Sequence, residues 1–116
     1  MSYQLNKTDG TLLTNLIDGQ IDINSTNLTL VGRNYSGYGE AFNENFIKLL
    51  ESFANTAAPS NPLTGQVWWD TSEQRLKVYD GSVWKASGGP YVQNTQPTMV
   101  AGDVWIDNLN NQVYAY

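Results

Sequence analysis

The chain has 116 residues and a formal net charge of −5, with 6 Lys and Arg against 11 Asp and Glu, and it contains neither cysteine nor histidine. That length bounds it to one small domain, or to a domain plus a fragment of a repeat. The missing residue types exclude disulfides, thiol chemistry and imidazole as base or metal ligand, and the acidic balance argues against a phosphate-binding surface.

No run approaches the roughly 18 apolar residues of a membrane span, and no signal-peptide pattern opens the chain. Neither nucleic acid nor membrane is expected as a partner. The charged fraction is only 15%. An uncharged but polar surface suits a protein packed among proteins, or one facing saccharide.

Residues 3 to 31 read as an antiparallel β meander. Tyr3-Gln4-Leu5 alternates apolar and polar, and Asp9-Gly10 is a hairpin signal because glycine takes positive φ without a Cβ clash. Thr11-Leu12-Leu13 with Leu16-Ile17 forms the return strand, and Asp18-Gly19 turns again. Ile21 and Ile23 alternate with Asp22 and Asn24 as a half-buried strand. Ser25-Thr26-Asn27 is a third turn, and Leu28 to Val31 a further strand. The Asp-Gly pairs are read as turn chemistry, not as catalytic acids.

Gly32 to Gly39 is a loop around Tyr35 and Tyr38. Its glycine spacing matches neither phosphate-binding fingerprint, so the glycines are expected to fold the loop tightly over a helix start. Glu40 to Asn55 is the one amphipathic helix. Phe42, Phe46, Leu49, Leu50 and Phe53 recur at steps of three and four as one apolar stripe. Glu40 suits the helix dipole, Glu44 and Lys48 form an i,i+4 pair, and Pro59 and Pro62 prevent continuation. The stripe is expected to anchor the helix on the meander, with part of it free to pack on another chain.

A Pro, Ala and Ser linker leads to Gly65-Gln66-Val67-Trp68-Trp69-Asp70. There Val67 and Trp69 face one side, Trp68 and Asp70 the other. Asp70 to Glu73 reads as a turn held by side-chain bonds to the backbone, Leu76 to Tyr79 as the partner strand, and Val83-Trp84 as a short third strand after Asp80-Gly81. The pattern returns 37 residues later. Gly65, Val67, Trp68, Asp70 and Tyr79 fall on Gly102, Val104, Trp105, Asp107 and Tyr116. Tyr91 to Val100 is read as a polar connector, and the second copy as partial.

The expected fold class is therefore α+β, mostly β: an N-terminal antiparallel meander with one amphipathic helix, followed by small Trp-Asp β-hairpin repeat units. The divisions are 1–58 (meander plus helix, helix about 40–55), 59–89 (first Trp-Asp unit) and 90–116 (connector and partial second unit).

Catalysis is not expected. Nucleophilic triads lack their base, and each candidate carboxylate (Asp70, Asp80, Asp103, Asp107) sits at a strand end or turn where Asp is ordinary. Asp107 to Asn111 is oxygen-rich but lacks calcium-loop spacing. No metal or other cofactor is expected. The interaction candidates are Tyr35, Tyr38, Phe42, Phe46, Phe53, Trp68, Trp69, Trp84, Trp105 and Tyr116. Trp68 and Trp69 must face opposite sides of one strand, so one indole is either exposed or covered by another element. Tryptophans as sheet core are preferred over tryptophans as a sugar platform.

Several ordered motifs carry a resemblance. They are Asn6-Lys7-Thr8-Asp9-Gly10-Thr11-Leu12-Leu13, Leu28-Thr29-Leu30-Val31-Gly32-Arg33-Asn34-Tyr35, Gly37-Tyr38-Gly39-Glu40 with Asn43-Glu44-Asn45-Phe46, and Gly65 to Thr71 with Leu76 to Gly81. Together they resemble modules of virion structural proteins of contractile-tailed bacteriophages, of the tail-fibre, baseplate and neck type. The resemblance covers residues 3 to 85, with 97 to 116 as a further Trp-Asp repeat. It implies a structural role in the virion, with other virion proteins and copies of itself (a homo-oligomer such as a trimer) as partners, and it supplies no catalytic residue. In such proteins the module lies near the N-terminus of a longer chain with a distal domain after it. The alternative reading is a saccharide-binding adhesin module for host-surface glycan, with Trp68, Trp84 or Trp105 as an exposed platform.

Overall fold

In the computed structural model, which describes residues 1–116, aspartates close the turns that reverse the chain. Asp9, Asp22, Asp70, Asp80 and Asp107 each accept a bond on one carboxylate oxygen from the backbone N–H two residues on. In the last four, the N–H three residues on also donates to that oxygen. A short acidic side chain can do this because its oxygens reach its own forward amides, which a tight turn leaves without sheet partners.

The fold is α+β, mostly β, with one helix and several small, mainly antiparallel sheets. Strand β1 (Ser2–Asn6) pairs antiparallel with β2 (Leu12–Ile17) around the Asp9-Gly10 turn, with a register shift at Leu5/Asn6. Strands β3 (Ile21–Asp22) and β4 (Leu30–Val31) form a second two-stranded sheet. The expected single meander is thus two hairpins. Ile23 leaves the strand and is exposed, because Asp22 turns the chain at once by binding the amides of Asn24 and Ser25. Leu16 and Val31 form the small core here, and the Tyr3 hydroxyl donates to the Val31 carbonyl at 2.6 Å.

Gly32 joins the hairpins by close approach. A Cβ there would lie 2.1 Å from the Ile17 carbonyl oxygen and 2.8 Å from that of Gln20. The glycine belongs to the hairpin junction, not to the helix start. Gly37 does serve the helix start, with φ at 93° before α1 (Tyr38–Leu50). The helix begins two residues earlier than expected and ends five earlier. Ser52 and Phe53 both take left-handed φ, at 51° and 55°, and the Phe53 N–H donates back to the Lys48 carbonyl. The chain has left the helix well before Pro59.

Strands β5 (Val67–Asp70), β6 (Arg75–Tyr79) and β7 (Trp84–Ala86) form an antiparallel three-stranded sheet. Residues 52 to 55 run alongside β5: the Trp69 N–H donates to the Ser52 carbonyl, and Asn55 bridges parallel to Asp70. The second unit holds β8 (Tyr91–Gln93), parallel to β9 (Val104–Asp107), which pairs antiparallel with β10 (Gln112–Ala115). The expected connector therefore contains a strand. Its Tyr91 is buried, and β8 does for β9 what residues 53 to 55 do for β5.

The molecule is extended. Its radius of gyration is 18.2 Å, against about 13 Å for a compact domain of this length. It exposes 7617 Å², about 1,300 Å² more than a folded monomer of this mass. Only Leu16, Val31, Trp68, Tyr91 and Trp105 are buried apolar residues.

Gly32→Ala should destabilise the protein by about 2–3 kcal/mol, because backbone carbonyls cannot move aside for a methyl group. Gly39→Ala should be neutral or stabilise by up to about 1 kcal/mol, since it sits in the helix with open space around it. Urea unfolding of the two variants tests the contrast.

Candidate functional site

The two tryptophan units share one construction. Trp68 and Trp105 point inward and are buried, and each indole N–H donates to a carbonyl of the neighbouring parallel segment: Asn55 at 3.2 Å and Gln93 at 2.9 Å. The same carbonyls accept the N–H of Thr71 and Asn108, the residues after each aspartate. Gly65 donates to Tyr79 and Gly102 to Tyr116, both at 2.7 Å. Leu63 N–H binds the Gln66 side chain, and Val100 N–H binds the Asp103 carboxylate. One backbone scheme thus supports different side chains.

The indole faces are covered differently. In the first unit Lys77 lies over the Trp68 ring at 5.3 Å and bridges Asp70 (3.1 Å) and Glu73 (2.8 Å). Burial raises the Asp70 carboxyl, but bonds from Ser72, Lys77 and the Glu73 and Ser72 amides outweigh it and hold the group below the ordinary carboxylate range. Burial likewise opposes the Lys77 charge, yet its two carboxylate partners keep the ammonium above its usual value. In the second unit Tyr114 takes the place of Lys77 and stacks on Trp105 at 4.8 Å. Asn110 binds the second oxygen of Asp107 at 2.9 Å, and that bond is the main reason this carboxyl is also depressed.

Trp84 packs edge-on against Trp68 at 5.5 Å and lies 5.2 Å from Tyr79. Trp69 faces outward, 39% exposed. The saccharide alternative therefore loses two of its three platforms, because Trp68 and Trp105 present no free face. Arg75 fastens the units together: it lies 3.7 Å above the Tyr91 ring and donates to the carbonyls of Gly89 and Pro90. Nothing in the spacing of Arg75 and Tyr91 signals this clamp, since they belong to different copies.

The helix is seated by its polar side. Asn45 makes a reciprocal pair with the Thr29 backbone, accepting at 2.9 Å and donating at 2.8 Å, and Lys48 donates to the Asn27 carbonyl at 3.2 Å. Ala41, Asn45 and Lys48 are the half-buried positions of α1, and no helix residue is fully buried. The expected anchoring by the phenylalanine stripe is overturned. Tyr38, Phe42, Phe46, Ile47, Leu49 and Leu50 are all exposed, Phe46 by 60% and Leu50 by 81%. Phe53 lies beyond the helix, half-buried, in the turn toward β5. Tyr38 meets Phe42 edge-to-face at 5.9 Å, and with Tyr3, Val31, Arg33 and Tyr35 these rings line an open groove of about 520 Å³. Tyr116 is exposed at the far end.

The structure thus gathers Tyr35, Tyr38 and Phe42, continues them into Phe46, and sets Trp68 with Trp84 in a separate cluster away from Trp105. No model of a known protein family, no curated protein and no solved structure matches the chain.

The turn carboxylates carry a pH signature. Asp9, Asp22, Asp70, Asp80 and Asp107 all have folded values depressed by bonds to turn N–H or side-chain groups. A depressed carboxylate contributes stability that is complete above its unfolded value of about 4 and is lost as pH falls through the folded value. Thermal melting should change little from about pH 7 to 5 and drop steeply below about pH 4. Asp70→Ala should cost about 3 kcal/mol in urea unfolding at neutral pH, with Asp70→Asn milder because the amide oxygen still accepts from the turn.

Proposed function

We propose that the chain is a structural module of a bacteriophage virion, an assembly and attachment piece of a tail fibre, baseplate or neck appendage that acts through protein–protein contacts. The observation that carries this reading is the inverted helix. A helix that binds its own body through Asn45 and Lys48 and turns Phe42, Phe46, Leu49 and Leu50 to solvent has an apolar face available to a second protein. Contiguous apolar surface of this kind marks interaction sites.

The size is consistent with that role. The excess exposed area of this one chain is more than the roughly 800 Å² that each partner contributes to a standard interface. The stripe also lacks charge, since Glu40, Glu44 and Glu51 fall on the opposite flank of the helix, so an apolar partner meets no buried ion. The motifs quoted above supply the virion context, and their order along the chain supports it. The buried state of Trp68 and Trp105 favours this reading over a glycan platform.

In sedimentation experiments the chain should form concentration-dependent multimers or bind another virion protein. Phe46→Glu and Leu50→Glu should each weaken that association by about tenfold or more without unfolding the sheets. A monomer at all concentrations that binds no protein of purified phage particles, and that antibodies fail to locate on tails or necks, would overturn the reading.

A further inference from the structure

The exposed stripe of α1 has an internal symmetry that says what covers it. At the pitch of an α-helix, Tyr38, Gly39, Phe42, Phe46, Leu49 and Leu50 fall within about a third of the circumference. Asn45 and Lys48 hold the body on a second face. Glu40 and Glu44 lie on the side away from the stripe. Within the stripe, Tyr38 and Leu50, Gly39 and Leu49, and Phe42 and Phe46 each stand equally far on either side of Glu44.

Two such helices laid antiparallel about a two-fold axis at the level of Glu44 therefore match Tyr38 to Leu50, Gly39 to Leu49 and Phe42 to Phe46, and every match occurs twice. The matches are complementary in shape. Leu49 meets the one position without a side chain, and Gly39 has open space around it. Leu50, 81% exposed, comes to the end where Tyr35, Tyr38 and Phe42 line the groove. A partner of different sequence would have no need of this symmetry.

Charge selects the same orientation. The Arg33 guanidinium stands at that groove, over the Tyr3 ring at 5.2 Å, and pairs with no carboxylate of its own chain. A helix C-terminus carries partial negative charge on carbonyls that lack intrahelical donors, and the Leu50 carbonyl accepts no backbone bond. Antiparallel packing brings this end of one copy to Arg33 of the other. Parallel packing would bring the positive end instead. Because Glu40 and Glu44 point away from the axis, two chains of net charge −5 meet there without opposing carboxylates.

We propose that α1 is a two-fold contact between two copies of this chain, packed antiparallel stripe to stripe, with Leu50 of each copy seated in the aromatic groove of the other. This rests on the helix-face contact proposed above and names its partner.

The chain has no cysteine, so introduced thiols report position without interference. In the antiparallel pair two Leu50 positions lie about 18 Å apart along the axis, as do two Tyr38 positions, whereas Tyr38 and Leu50 lie level. A bismaleimide too short to span that gap should join an equimolar mixture of Tyr38→Cys and Leu50→Cys into mixed dimers, identified by intact mass, with a yield several times that of either variant alone. Sedimentation equilibrium of the unsubstituted chain should show monomer and dimer, and Leu50→Glu should weaken the dimer by about tenfold or more. Cross-linking of either variant alone at the level of the mixture would overturn the pair, as would association that Leu50→Glu leaves unchanged. A monomer at every concentration would overturn it too. If that monomer binds another virion protein through the helix, the assembly reading stands; if it binds none, both fall.

Discussion

The carboxylate that closes a turn on its own forward amides is the interaction on which the rest of this structure depends. The chain has no disulfide and few buried apolar side chains, so the usual sources of tertiary stability are thin. Placed at the end of β5 and again at the end of β9, the aspartate fixes the reversal that brings the next strand back in register. Register in turn decides which tryptophan faces inward, because a slip of one residue would exchange Trp68 with Trp69. The buried indole then reaches a carbonyl one segment away and ties the hairpin to what precedes it. Local turn chemistry therefore sets both the unit and its attachment.

A protein stabilised this way need not fold around one centre. Each hairpin carries its own closing bonds, and cohesion between hairpins comes from single devices: Gly32 under the Ile17 carbonyl, Asn45 on Thr29, Arg75 on Tyr91. This leaves large apolar groups that no part of the chain covers. The helix is the clearest case, since its polar residues hold the body and its phenylalanines do not. Surface that would be a liability in a free globule becomes useful when a neighbouring protein shares the core.

The sequence made the turns legible, because Asp and Gly act locally and their bonds reach only two or three residues. Gly10, Gly19 and Gly81 have the positive φ that the Asp-Gly pairs imply. The 37-residue echo likewise marked the hairpins, and alternation placed Trp68 and Asp70 on one face. The parallel strand Tyr91–Gln93 was not legible, because its partner lies across an irregular loop and three residues hold too little alternation to register. The helix end was also hidden: nothing in Ser52-Phe53 announces two left-handed residues. The orientation of the helix was misread for a general reason. Periodicity identifies an apolar face but not what it faces, and here Asn45 and Lys48 found backbone partners that outcompeted the stripe for the body.

The junction between units has a consequence for length. Arg75 stands in one copy and grips Tyr91 at the start of the next, while the indole of each copy donates to the segment that runs just before its own hairpin, at the Asn55 or the Gln93 carbonyl. A gene that duplicated such a segment would therefore lengthen the protein by a fixed increment without redesigning what came before, as a carpenter extends a rule by adding marked sections. The second copy carries Gln112 where the first carries the gripping arginine, so the grip belongs to one copy while the backbone scheme of turn, hairpin and indole bond is common to both.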